Sequence, residues 1–155
     1  MAIVRTERVF TPTKQHIALC KKVLKIIAEW KPYMIFTWEW DGTVIPIDVI
    51  QVDGQEADMC IMQYDYLRQS DISVAESALH LSPDELELTV LHELGHMFIR
   101  DLYIAHLQEV ASNNPSSQGS HQDFYDFTAW GHAEELTCWR FAKMLQATKK
   151  GKNNA

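Results

Sequence analysis

From Leu86 to about Val110 the chain contains no proline and a single glycine, Gly95, and the residues just ahead, Ser82-Pro83-Asp84-Glu85, read as a compact helix start. Ser82 suits an N-cap, Pro83 the first helical position, and Glu85 stands where its carboxylate can close a capping box. One long helix is expected here. Inside it lies His92-Glu93-Leu94-Gly95-His96. Residues four apart sit one above the other on a helix, so both imidazoles can reach one tetrahedral metal ion at about 2.0–2.1 Å. Glu93 projects beside that face and need not be a ligand. Zinc lowers the pKa of a coordinated water toward about 7, and a carboxylate within reach can accept its proton. His92 and His96 are therefore candidate metal ligands, and Glu93 is a candidate general base. Gly95 costs a helix roughly 1 kcal/mol relative to Ala, which suggests that another element packs closely against the backbone there.

The rest of the chain supplies a frame for that helix. Residues 13–30 carry Ile17, Leu19, Val23, Leu24, Ile26, Ile27 and Trp30 close to a helical period, with Pro12 at the turn before them and Pro32 ending the helix. Three β-like segments follow, Tyr33–Trp40, Val44–Val52 and Ala57–Tyr66, separated by Asp41-Gly42 and Asp53-Gly54. Asp-Gly pairs favour hairpins, because glycine tolerates the positive φ of tight turns. Ile72–Leu81 is a possible fourth extended piece. Residues 111–126 read as a polar loop, and a last helix is expected from about Ala129 to Ala147. The order is N-terminal helix, three- to four-stranded sheet, long helix, loop and C-terminal helix, an α+β layout.

Catalytic zinc normally has three protein ligands and an open position, so a third is sought elsewhere. The last helix opens with Gly131-His132-Ala133-Glu134-Glu135, ahead of the apolar stripe Cys138, Phe141, Ala142 and Leu145. Glu134 and Glu135 both begin near the buried edge of that stripe, where a carboxylate is costly unless it is paired or coordinates a metal. Helical geometry alone does not separate the two. Asp101, His106, His121 and His132 are further candidates. Tyr103, Tyr125 and His132 are candidates to stabilise an oxyanion. The aromatic cluster Tyr33, Phe36, Trp38 and Trp40 reads as sheet core rather than a ligand platform.

His-Glu-Leu-Gly-His followed by Glu135-Leu136-Thr137-Cys138-Trp139-Arg140-Phe141-Ala142 resembles the ImmA/IrrE-type metallopeptidases, gluzincins in which the metal motif is followed by a Glu-x-x-small segment ending in Phe-Ala. The resemblance covers residues 82–100 and 131–145. It places Cys138 at the small position and Glu135 at the ligand glutamate. It also implies a zincin fold, with a short sheet beside the active-site helix and an edge strand lining the cleft. Cys138-Trp139 stands where Ala-Asn is common, and Met144-Leu145-Gln146 replaces a Leu-Leu-Pro ending. The family's cleavage of repressors is not carried over.

Composition narrows the choice of function. A chain of 155 residues fits one domain, here residues 1–148, with 149–155 a flexible polar tail. A net charge of −7 argues against a nucleic-acid partner. Cys20, Cys60 and Cys138 are odd in number and form no CxxC pair, so they read as buried thiols in a reducing compartment. With no signal-peptide core and no run of about 20 apolar residues, a cytoplasmic protein away from membranes is expected. The expectation is a minimal zincin-like metallopeptidase holding one Zn2+ per chain through His92, His96 and Glu135, with Glu93 as base and a peptide or protein substrate. The rivals are a catalytically silent binding or assembly protein with a structural or vestigial zinc site, and a metal-free scaffold.

Overall fold

The computed structural model describes residues 3–5, 10–33, 43–52, 54–64, 69–113 and 127–153. These residues form an α+β fold, with three helices and two small three-stranded sheets among them. The first helix, α1 (Lys14–Trp30), is capped by Thr13, whose Oγ1 accepts the His16 N–H at 3.1 Å. Its inner face is Leu19, Cys20, Val23, Ile27 and Trp30, while Ile17 and Leu24 from the expected stripe are exposed. Pro32 falls in a 3-10 turn after the helix, Lys31–Tyr33. The expected strand Tyr33–Trp40 lies outside the described residues beyond Tyr33, as does Asp41-Gly42.

The strands group differently from the sequence expectation. In one sheet, β1 (Ile3–Arg5) and β4 (Gln55–Ala57) flank β3 (Ile50–Val52), all antiparallel. In the other, β6 (Gln69–Ala75) is central, parallel to β2 (Val44–Ile47) and antiparallel to β5 (Met59–Tyr64). Val44–Val52 is therefore two strands in two sheets, and Ala57–Tyr66 divides likewise. The chain changes sheet at Asp48 and at Asp58, and both corners are tied to the end of β6. The Ala75 N–H donates to the Asp58 carbonyl at 2.8 Å and the Glu76 N–H to that of Asp48 at 3.3 Å, while Ser77 Oγ donates to Asp58 Oδ1 at 2.6 Å. Pro46 sits on β2, an edge strand among the described residues, the place a residue without an N–H is tolerated. The Asp53-Gly54 hairpin forms as expected: Val52 pairs with Gln55, and Gly54 takes φ 79°. The expected extended piece Ile72–Leu81 stops at Ala75 and continues as a 3-10 helix, Glu76–His80.

The long helix, α2 (Pro83–Asn113), begins with the capping box. The Ser82 N–H donates to Glu85 Oε2 at 2.9 Å and Ser82 Oγ to the same oxygen at 2.7 Å, while the Glu85 N–H returns to Ser82 Oγ at 3.4 Å. The last helix, α3 (Phe127–Asn153), runs back along α2 and is longer than expected. Residues 149–153, expected as tail, continue it, and Lys149 bonds to Glu87 of α2 at 2.5 Å. The core lies between these layers: Leu19, Val23 and Ile27 from α1, Ile72 and Val74 from β6, Val90, Leu91 and Leu94 from α2, and Ala142 from α3. His16 joins them, its Nε2 donating to the Val74 carbonyl at 2.8 Å and so tying α1 to β6. None of the helices, among the described residues, is long and apolar enough to cross a membrane.

Candidate metal centre

In α2 the motif faces inward as helical geometry requires. His92, Glu93 and His96 are all buried, and their ligand atoms lie within 4.8 Å of one another. The two Nε2 atoms point at each other across 3.2 Å. From α3 the Glu135 carboxylate straddles them, Oε2 3.1 Å from His92 Nε2 and Oε1 3.4 Å from His96 Nε2. Donors on a tetrahedron at 2.0–2.1 Å from its centre stand roughly 3.3–3.4 Å apart, so this spacing fits a zinc-sized ion. The donor set of two imidazoles and one carboxylate suits zinc.

The close approach of α3 depends on two small residues. A Cβ built on Gly95 would meet Cys138 Cβ at 3.3 Å and Cys138 Cα at 3.4 Å. The missing side chain at 95 and the small one at 138 let the backbones come together where Glu135 must reach across. Cys138 is fully buried in that seam.

The consecutive glutamates take different places. Helical rotation of roughly 100° per residue separates their side chains. Glu135 reaches the Nε2 side of both rings, while Glu134 Oε1 lies 2.9 Å behind His96, at Nδ1. Glu134, weighed as a ligand, thus backs an imidazole instead, an arrangement that fixes ring orientation and raises ligand basicity. His92 has no such backing among the described residues: its Nδ1 is buried without a hydrogen-bond partner. Its ring instead lies against Trp139, with centroids 4.2 Å apart and planes at 32°.

Glu93 is set apart from the ligands. Its Oε1 is 3.9 Å from His92 Nε2, and its Oε2 accepts the Ile61 N–H at 2.8 Å. That N–H is free to reach Glu93 because β5 is an edge strand among the described residues, with alternating backbone groups. Asp58, just ahead of it, bonds to β6, so Ile61, three residues on, turns its N–H outward.

Charge in the site is heavily coupled. Burial pushes the Glu93 carboxyl up from the ordinary carboxylate range, against the neighbouring His96 and His92 and the Ile61 N–H. Burial alone would lower His96, but the Cys138 thiol, the Glu134 carboxylate and Glu93 outweigh it and push the imidazole up to about 11. The bond to His92 holds Glu135 below the carboxylate range despite partial burial. Burial raises the Cys138 thiol.

The other sequence candidates are not brought to the site by anything described. The side chains of Asp101, Tyr103, His106 and His132, and residues His121 and Tyr125 altogether, lie outside the described residues. Sequence reasoning did not find the contributions of Ile61 and Trp139. A backbone donor on a distant strand leaves no side-chain signature, and Trp139 was noted only as a departure from the family pattern.

Compared with protein-family models, with curated proteins and with solved structures, the chain matches none of them.

Proposed function

We propose that this chain is a zinc-dependent hydrolase of peptide bonds, a minimal zincin-like enzyme of the gluzincin type related in its motifs to the ImmA/IrrE-type metallopeptidases. The observation that carries the reading is the convergence of His92 Nε2, His96 Nε2 and the Glu135 carboxylate at 3.1–3.4 Å, with a further carboxylate, Glu93, beside them. One Zn2+ would be held by His92, His96 and Glu135. When bound it would supply a Lewis acid that polarises a carbonyl and makes water acidic near neutral pH.

The chain's own residues do the rest. Glu93, with its carboxyl raised by burial, accepts a proton from the attacking water and returns it to the departing amine. Ile61 holds one oxygen of Glu93 through its N–H, leaving Oε1 turned toward His92. Glu134 fixes the ring of His96 from behind. Leu91 and Leu94 exclude water from the core side of the motif. A peptide or protein is the substrate class this chemistry suits, with a cytoplasmic setting and no nucleic-acid or membrane partner.

The test uses zinc-loaded protein and a mixture of unstructured peptides, with cleavage read by mass spectrometry. Glu93→Gln keeps the shape of the side chain but removes the base. It is expected to retain zinc and to lose about 10²–10⁴-fold in rate. Equal cleavage by Glu93→Gln and the parent would overturn the assignment of Glu93. Stoichiometric zinc with no cleavage of any peptide would favour the silent binding protein instead.

A further inference from the structure

The two imidazoles of the candidate centre are held by different devices. His96 has a carboxylate at Nδ1, whereas the buried Nδ1 of His92 has no partner among the described residues. A ligand imidazole ordinarily gives that nitrogen's proton to an acceptor, which stops the ring turning about its Cβ–Cγ bond. Among the described residues two rings lie against that of His92: His96, edge-on with centroids 4.9 Å apart, and Trp139, over it at 4.2 Å and tilted by 32°.

We propose that Trp139 is the positioning residue of His92, bracing that ring with an aromatic face where His96 is braced by a carboxylate; the proposal rests on the zinc reading above. With the indole this close to one face, rotation of the imidazole is opposed. An imidazole that has given its Nε2 lone pair to a divalent cation carries positive charge, and the indole face attracts it more strongly than the neutral ring. The contact therefore favours the metal-loaded state over the metal-free one. Trp139 lies one helical turn beyond Glu135, so α3 delivers both the third ligand and the brace for the first. Trp139 is also 36% exposed, at the rim of the fold rather than in its core. Its loss should weaken metal binding far more than it loosens the metal-free protein.

The experiment measures the zinc dissociation constant by competition with a chromophoric chelator for the parent, W139F and W139L, together with the melting temperature of each metal-free protein. W139L keeps apolar bulk without a π face, and it is expected to bind zinc about 10–100-fold more weakly, the range typical of an outer-shell partner. W139F is expected to stay close to the parent, with metal-free melting temperatures nearly unchanged in both. Parent-like zinc affinity in W139L, or W139F binding zinc as weakly as W139L, would overturn the proposal while leaving the zinc centre standing. No zinc binding by the parent would overturn both.

Discussion

The helices α2 and α3 are joined by charged groups at two places, and the two junctions are built in opposite ways. Toward the end of α3, Lys149 bonds to Glu87 at 2.5 Å, lies 3.7 Å from Glu29 of α1 and sits over the Trp30 ring at 5.3 Å. Trp30 Nε1 donates to the same Glu87 oxygen at 3.0 Å. A permanent cation thus answers the carboxylates, and much of the junction is exposed to solvent. Near the start of α3, three carboxylates, Glu93, Glu134 and Glu135, surround two imidazoles, and among the described residues every ion pair they make is to those histidines. Both histidines and Glu93 are buried there, Glu134 and Glu135 only partly, and no lysine or arginine answers the charge among the described residues. The first arrangement holds helices together. The second calls for added positive charge, whether from protons on the histidines or from a bound cation, and its donor spacing fits a metal.

Forcing the helices apart at the site end alone should break the comparison most severely. Gly95→Leu places a branched side chain where even a Cβ meets Cys138 at 3.3 Å. The expected cost is about 1–3 kcal/mol in chemical denaturation, together with loss of zinc binding as Glu135 is displaced. Normal zinc affinity in this variant would mean that the seam does not set the site.

Glu134→Ala sharpens the comparison. It should weaken zinc about 10–100-fold by chelator competition, and Glu134→Gln less, because an amide oxygen still accepts from His96. If Glu134→Ala abolishes zinc while Glu135→Ala spares it, the roles of the two glutamates are reversed.

The smallest effect belongs to the opposite junction. Lys149→Ala should cost about 0.5–1 kcal/mol near neutral pH and leave zinc affinity unchanged. Burial raises Glu87, but Lys149 and Trp30 outweigh it and hold the carboxyl below its ordinary range. A carboxyl lowered on folding contributes stability above its unfolded pKa and loses it as pH falls through the folded value. Melting curves of the parent and Lys149→Ala should therefore converge in acid. A gap that persists there would assign the contribution of Lys149 to packing on Trp30.

What could be read from the sequence was whatever depends on near neighbours. The capping box at Ser82 and Glu85 and the shared face of His92 and His96 follow from spacings of three or four residues, and the close packing over Gly95 from a glycine's cost inside a helix. Glu135 was singled out over Glu134 through resemblance, since adjacent residues on one helix look alike until a partner is placed. The division of Val44–Val52 between two sheets was not legible, because it depends on bonds from Asp48 and Asp58 to the far end of β6. Likewise, nothing local to Trp139 indicates that it lies against His92, a residue 47 positions earlier. Whether an imidazole is backed by a carboxylate, as His96 is, or packed against an indole, as His92 is, is decided by how two helices pack.

The most direct measurement is metal content by elemental analysis on protein purified without added metal, for the parent beside Glu135→Ala. The account predicts about one zinc per parent chain and loss of that zinc in Glu135→Ala. No zinc in the parent even after zinc is added back, or full zinc in Glu135→Ala, would contradict it.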